Sequence, residues 1–337
     1  MKKTFSDKQA TAAVMTSPSS RWLRYLDYVF LMRPMLFFPG WATLLAGFLL
    51  ASFPSPYFLP GMSFQLTFHS LGYPVWLAML TFALAMGGSF IFNQLRDVDS
   101  DRQNRKLFLL GDGHVPLSHG YIQAVLTCLL AMGMALTINR TFALLLLAFI
   151  LVTGYLYNYA PFELKNRPLW GLWANMAMGW LAFALGWSLA QPLGKSFLLN
   201  SLNYLAFNTG LYLLTTLPDR DGDAAARKIT FPVKYGFRTT IRWSGLLMAA
   251  ALVGGGVMKD DLILLISLGT LPFMIWMLRQ PTTERAIITL KMGIFFFVLW
   301  ISMKFPLFFG IALAGFYFTR FYYQRRFNFD YPNFKGR

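Results

Sequence analysis

Long apolar runs separated by short charged segments constrain this chain more than any other feature of its sequence. Several runs approach or exceed 18 residues with hardly a charge, which is the length that an α-helix needs to cross the hydrocarbon core of a bilayer. Only 13% of the 337 residues are charged and 56% are hydrophobic, whereas about a quarter of a soluble protein is charged. The sequence therefore predicts an all-α protein, a polytopic bundle of transmembrane helices.

The apolar runs number ten. They cover, approximately, residues 34–52, 75–95, 121–138, 141–157, 169–190, 197–217, 243–257, 262–278, 286–303 and 305–323. The segment from Arg21 to Met32, which mixes aromatic, aliphatic and charged residues, is typical of an amphipathic helix in the membrane interface. We expect residues 1–20 to form a disordered tail, 21–323 a single membrane domain and 324–337 a cytoplasmic tail.

The distribution of basic residues predicts the orientation of the bundle. Lys and Arg number 30 against 14 Asp and Glu, and most of them lie in the segments that follow even-numbered runs. The positive-inside rule places these segments in the cytoplasm, where they meet anionic lipid headgroups rather than nucleic acid. The basic C-terminal tail is expected on the same side, which favours ten spans over nine. If the source is bacterial, the membrane is the inner or plasma membrane.

The first acidic motif follows the second apolar run. Asn93, Asp97 and Asp101 are spaced at i, i+4 and i+8, so on a helix they lie on one face within about 40° of drift. Three oxygen-bearing side chains on one face suit a hard cation such as Mg²⁺. Basic residues that could hold an anion stand among them, at Arg96, Arg102, Arg105 and Lys106.

A second acidic motif follows the sixth run. Asp219 and Asp223 repeat the i, i+4 spacing, and Arg227 and Lys228 come directly after them. Four carboxylates on one side of the membrane repel one another unless cations lie between them. A diphosphate that brings Mg²⁺ resolves this conflict, because the metal neutralises the leaving group while Arg and Lys bind its remaining oxygens.

The two motifs resemble the signature motifs of the UbiA-type intramembrane prenyltransferases. The stretch from Tyr157 to Lys165, with Pro161 between them, is similar to that family's Tyr…Pro…Lys stretch after its fourth span. The segment from Lys228 to Gly236 resembles the one that follows the second motif, and Arg33 with the proline after it fits the start of span one. The resemblance covers about residues 25–303.

This resemblance implies a helical bundle around a central cavity, closed by a cytoplasmic cap. It also implies Mg²⁺-dependent transfer of a polyprenyl group from its diphosphate to an aromatic or other lipid-soluble acceptor, in quinone, pigment or lipid biosynthesis. The residues expected to be catalytic, and with Asn93 to bind the metal, are Asp97, Asp101, Asp219 and Asp223. The residues expected to bind substrate are Arg33, Arg102, Tyr157, Lys165, Arg227 and Lys228. The usual span count in the family is nine, so the tenth run would be an addition.

Three other functions stay open. A terpene cyclase on the same scaffold would keep both motifs and use no acceptor, and a phosphoribosyl transferase would use a different donor and a polyprenyl phosphate. A cation-coupled transporter would place its acidic residues near the bilayer midplane at broken helices, whereas here they lie at the ends of runs. The sequence identifies no protein partner.

Overall fold

The computed structural model describes residues 22–53, 57, 67–103, 108–225 and 228–332. In this part of the chain the regular structure is entirely helical. The helices are α1 Leu23–Leu31, α2 Phe37–Ser52, α3 Tyr73–Gln103, α4 Phe108–Gly111, α5 Leu117–Ile138, α6 Arg140–Ile150, α7 Pro168–Trp187, α8 Lys195–Thr215, α9 Arg220–Ala225, α10 Phe231–Tyr235, α11 Phe237–Met258, α12 Asp261–Arg279, α13 Thr283–Lys304 and α14 Pro306–Phe327. A 3₁₀ turn, Pro34–Leu36, joins α1 to α2, and a π-helical turn, Leu151–Leu156, continues α6.

Seven helical segments of the described chain are long and apolar enough to cross a membrane. They are Leu23–Ser52, Tyr73–Asp99, Leu117–Ile138, Pro168–Trp187, Phe237–Met258, Asp261–Arg279 and Thr283–Lys304. The apolar segment Arg140–Leu156 is shorter, and α8 and α14 are 21 and 22 residues long but less apolar. The all-α, polytopic class predicted from the apolar runs is confirmed. The predicted interfacial segment also contains a helix, α1.

Two glycines allow α2 and α7 to touch through their backbones. A Cβ atom on Gly186 would lie 1.7 Å from the carbonyl oxygen of Leu44, and one on Gly47 would lie 2.1 Å from the carbonyl oxygen of Phe183. Small residues at such crossings permit the close approach on which packing inside a membrane depends. This contact is part of the main hydrophobic core, in which Leu44 and Phe183 are fully buried.

The last helix closes the bundle against the first. Tyr322 near the end of α14 stacks on Phe30 of α1, with 3.7 Å between the ring centroids. The neighbouring α3 is attached to α1 as well, because the Gln94 side chain donates a hydrogen bond of 2.8 Å to the carbonyl oxygen of Leu31. The C-terminal ends of α3 and α14 therefore lie together beside α1, and the first acidic motif is at this end of the bundle.

Candidate active site

The last turns of α3 carry the first acidic motif, as the spacing predicts. This helix runs without a break through Gln103, so Asn93, Asp97 and Asp101 share one face, and all three line a cavity of about 840 Å³. The Asn93 amide donates hydrogen bonds to Asp97 Oδ2 at 3.3 Å and to Asn158 Oδ1 at 2.7 Å. The motif is therefore held in place by a neighbouring loop.

The second motif has a helix of its own. Helix α8 ends at Thr215 and α9 begins at Arg220, because Pro218 between them has no N–H for a helical hydrogen bond. The Asp223 amide donates to the Asp219 carbonyl at 2.8 Å, so the i, i+4 pair is formed by a new helical turn. Both carboxylates line the cavity that holds the first motif.

Two lysines bind the carboxylate of Asp97. Lys165 Nζ lies 2.7 Å from Asp97 Oδ2, and Lys228 Nζ lies 3.5 Å from Asp97 Oδ1. Since Lys228 belongs to the loop after the second motif, this contact ties the two motifs together. Burial lowers the pKa of the Lys165 ammonium below its ordinary value, and the charge of Asp97 raises it in part.

The loop that carries Lys165 is fixed at both sides. Glu163 adopts the left-handed conformation (φ 40°) and accepts a charged hydrogen bond of 2.5 Å from Arg96 on α3, which lowers the pKa of the Glu163 carboxyl. The Lys165 amide donates to the Tyr157 carbonyl at 3.2 Å. These contacts direct the lysine side chain, which is only 9% exposed, towards the cavity.

Tyr157 and Arg33 complete the predicted set within the cavity lining. Tyr157 hydrogen-bonds to Asn175 and Tyr212 and lies within electrostatic range of both Asp97 and Asp223. The Arg33 guanidinium lies 5.8 Å from the ring centroid of Phe90. Both residues therefore border the space between the two motifs. Two further residues predicted to bind substrate cannot be placed in the site. Arg227 lies outside the described residues, and the side chain of Arg102 is not described.

Several residues in or beside the cavity lining were not predicted. Asn158 is fully buried, donates to the carbonyl oxygens of Thr153 and Gly154, and orients Asn93 through its own side-chain oxygen. Asn158 could have been suspected only because it lies inside the Tyr157–Lys165 stretch. Thr230 donates to Asp223 Oδ2 at 3.2 Å. The C-terminal aromatic residues Tyr323, Phe329 and Tyr331 also line the cavity, whereas the sequence placed them only in the tenth run or in the tail.

The donor set fits a cation that is shared with a substrate. In the described residues no three His, Cys, Asp or Glu side chains form a group that could hold a metal by themselves. Carboxylate and amide oxygens nevertheless converge on one cavity, and Mg²⁺ in proteins is commonly bound through one or two carboxylates together with substrate phosphates. The two lysines supply the remaining positive charge that a diphosphate requires.

Comparisons with known proteins agree with this architecture. A digeranylgeranylglyceryl phosphate synthase from Methanoculleus marisnigri is 30% identical over 173 residues, which are 50% of this chain and 59% of that protein. A UbiA homolog from Archaeoglobus fulgidus, solved with GPP and Mg²⁺, superposes with a TM-score of 0.64 at 19% identity and covers 86% of this chain and 99% of its own. An apo UbiA homolog from Aeropyrum pernix K1 gives 0.59 at 16% identity, with coverages of 82% and 96%.

The solved structures establish the fold that this chain shares with them. The sequence adds the family, because the model of the UbiA prenyltransferase family matches residues 40–287. That range contains both acidic motifs, Lys165 and Lys228, and it ends within α13. By this match over most of its length, the chain belongs to the UbiA prenyltransferase family.

Proposed function

We propose that this protein is a Mg²⁺-dependent prenyltransferase that moves a polyprenyl group from its diphosphate to a lipid-soluble, aromatic acceptor. One observation carries the proposal: two acidic segments more than a hundred residues apart meet at one cavity, where two lysines bind Asp97. The archaeal relative's name indicates prenyl transfer to a lipid, and the UbiA homolog from Archaeoglobus fulgidus was solved with a prenyl diphosphate and Mg²⁺.

The residues of the cavity have separate tasks in this reaction. Asn93, Asp97, Asp101, Asp219 and Asp223 would hold Mg²⁺, which neutralises the charge that develops on the departing diphosphate. Lys165 and Lys228 bind its oxygens, and we expect the same of Arg102 and Arg227. The donor's C–O bond breaks with its electron pair on the diphosphate, and an acceptor carbon or oxygen forms the new bond and loses its proton. Tyr157 and Arg33 position the substrates.

We further propose ten spans, with both acidic motifs facing the cytoplasm. Helices α8 and α14 have the length to cross the hydrocarbon core, and the segment Arg140–Leu156 supplies the remaining span. Tyr323 and Tyr331 line the same cavity as Asp101, so the C-terminal end lies on the same side as the first acidic motif, which supports an even number of spans. The excess of Lys and Arg at this end of the bundle supports its cytoplasmic position.

The test uses purified protein in lipid nanodiscs with labelled geranylgeranyl diphosphate, a lipid extract as acceptor source, and either Mg²⁺ or EDTA. We expect a prenylated lipid, identified by mass, that forms only with Mg²⁺. A labelled hydrocarbon formed from the donor alone would instead identify a cyclase. Transfer from phosphoribosyl diphosphate, or metal-independent turnover, would also refute the proposal.

A further inference from the structure

The C-terminal part of the chain supplies one wall of the cavity. Tyr323 from α14 lines it together with Phe329 and Tyr331, which follow the helix. All three lie beyond residues 40–287, the range that matches the family. This wall of three aromatic residues, called here the aromatic wall, is therefore a feature of this chain in addition to the family's shared core.

Buried contacts fix the aromatic wall to the first helix. Asp27 of α1 is 1% exposed and accepts hydrogen bonds from Arg326 Nε and Nη2, at 3.2 and 3.0 Å, and from Tyr322 Oη, at 2.7 Å. The bidentate pairing of a guanidinium with a carboxylate is among the most directional contacts in proteins. The end of α14 is consequently held at a fixed distance from the rest of the cavity.

The backbone then turns the chain back over the cavity. Asn328 ends α14 in the left-handed conformation (φ 51°), and the Phe329 amide donates to the Tyr323 carbonyl at 3.2 Å. The Phe329 and Tyr331 rings lie nearly parallel, 18° apart in plane with 6.3 Å between centroids. Tyr323 meets the Tyr331 ring edge-on at 5.2 Å and 81°.

Two of these rings are accessible to a ligand. Phe329 is 50% exposed and Tyr331 is 36% exposed. Many other large aromatic side chains of this protein are fully buried. Exposed π faces favour stacking or edge-on contact with another ring. The carboxylates and lysines of the two motifs bind the donor diphosphate, which leaves the aromatic rings for the second substrate.

We propose that the aromatic wall is a binding subsite for the ring of an aromatic acceptor. The inference deepens the proposed prenyl transfer and rests on it. Tyr323, Phe329 and Tyr331 orient the acceptor ring and select planar aromatic acceptors over lipids with a glyceryl phosphate headgroup. Asp97, Asp219 and Lys165 bind the donor diphosphate, so the two substrates depend on different residues.

Steady-state kinetics in nanodiscs test this assignment. Geranylgeranyl diphosphate serves as donor, and the acceptor is a hydroxybenzoate, a dihydroxynaphthoate or geranylgeranylglyceryl phosphate. Phe329→Leu and Tyr331→Leu keep an apolar side chain and remove the ring. Tyr317→Leu is the control, because Tyr317 lies on α14, is 64% exposed and is not among the cavity-lining residues. Donor binding is measured separately by equilibrium dialysis of the labelled diphosphate, which also shows that each variant is folded.

We expect each ring-deleting variant to raise KM for the aromatic acceptor about fivefold, the size of one lost ring contact. Its donor affinity and the kinetics of Tyr317→Leu should match those of the wild type. An unchanged acceptor KM in both variants, or preference of the wild type for the glyceryl phosphate acceptor, would overturn the inference and leave prenyl transfer intact. A wild-type protein that binds the donor but prenylates neither aromatic acceptor would also overturn the inference. Failure to bind the donor would refute the proposed function itself.

Discussion

At the scale of single residues, the ion pair between Lys165 and Asp97 explains how four carboxylates can share a small volume. The ammonium lies 2.7 Å from one oxygen of Asp97 and offsets part of the repulsion among the acidic side chains. The same ammonium is a compact point charge that suits a diphosphate oxygen without demanding a bidentate geometry. We therefore expect Lys165 to serve the empty and the occupied cavity alike.

Replacement of Lys165 should reduce the rate of transfer. We expect Lys165→Ala to lose about 2–3 kcal/mol of transition-state stabilisation, the value of one directed electrostatic contact. Lys165→Arg should recover only part of it, because the loop fixes the backbone for a shorter side chain. The exposed Lys234, on α10 and outside the cavity lining, provides the control Lys234→Ala. An Ala variant within threefold of the wild-type kcat/KM would end the assignment of a phosphate contact.

The pH dependence should report the same lysine. Burial lowers the pKa of Lys165, so its ammonium is lost at a lower pH than in an unfolded chain. If the cationic form binds the donor as proposed, kcat/KM should fall as the pH rises through this lowered pKa, below 10.5. The unfolded lysine keeps its proton to a higher pH, so the cost of burying this charge declines and the stability of the fold rises over the same interval. Lys165→Arg should move the alkaline limb of the profile upwards; an unmoved limb assigns it to another group.

The aspartates on the cavity face should differ sharply from their neighbours on the same helices. We expect Asp97→Asn and Asp219→Asn each to reduce turnover at least about 100-fold, because each removes charge stabilisation of the leaving group. Asp99 and Asp221 are exposed and lie outside the cavity lining, so Asp99→Asn and Asp221→Asn are matched controls. Near wild-type turnover of either cavity variant at saturating Mg²⁺ contradicts the assignment of that aspartate.

The cavity aspartates could be predicted because helical periodicity is local. Once a helix runs through Gln103, the positions of Asn93 and Asp97 on one face follow from their spacing. Asn158 could not be predicted in this way, since its contacts depend on how a π-helical turn meets α3. Asp260 could not either: it lies in the short connection between α11 and α12, but it is 2% exposed, hydrogen-bonded to Tyr204, and has its pKa raised by burial to about 7.

At the scale of elements, the contact between α2 and α7 allows a direct test of the packing. Gly186→Ala would place a methyl group 1.7 Å from the backbone oxygen of Leu44, and a backbone atom cannot move aside as a flexible side chain can. We expect the unfolding free energy to drop by about 3 kcal/mol, the upper part of the usual range for overpacking. Thermal unfolding in detergent measures the change.

Gly133→Ala provides the matched control for that substitution. Gly133 lies within α5, and nothing is within 4 Å of the position that its Cβ would take. Alanine is favoured over glycine inside a helix, so this variant should be as stable as the wild type or more so. Equal losses in both variants would show that the effect is not due to the contact between α2 and α7.

The apolar runs predicted the positions of the helices better than they predicted the residues at which the helices end. The second acidic motif directly follows the sixth run in the sequence, but Pro218 separates α8 from α9, and the motif has a short helix of its own. The tenth run was expected to be helical, and α14 occupies it. Its packing against α1 could not be predicted, because the bond between Tyr322 and Asp27 joins residues 295 positions apart.

At the scale of the whole molecule, the proposed ten spans place the C-terminal end beside the first acidic motif. A membrane-impermeant thiol reagent should therefore reach Gln324→Cys and Asp99→Cys from the same side of sealed vesicles. Leu193→Cys, in the turn after α7, should react from the opposite side. The single native cysteine, Cys128, is buried and can be replaced by alanine beforehand. If Gln324→Cys instead reacted from the same side as Leu193→Cys, the number of spans would be nine.

The pairing of α14 with α1 also sets the order in which the protein can mature during synthesis. The ribosome produces Asp27 long before Arg326, and the translocon releases the intervening spans in between. Until the final turn of α14 emerges, Asp27 lacks its partners Tyr322 and Arg326 and one side of the cavity is open. The nascent chain can thus assemble the cavity aspartates early but encloses them only at the end. A stalled or truncated product would contain the reactive residues without the enclosure that separates the reaction from water.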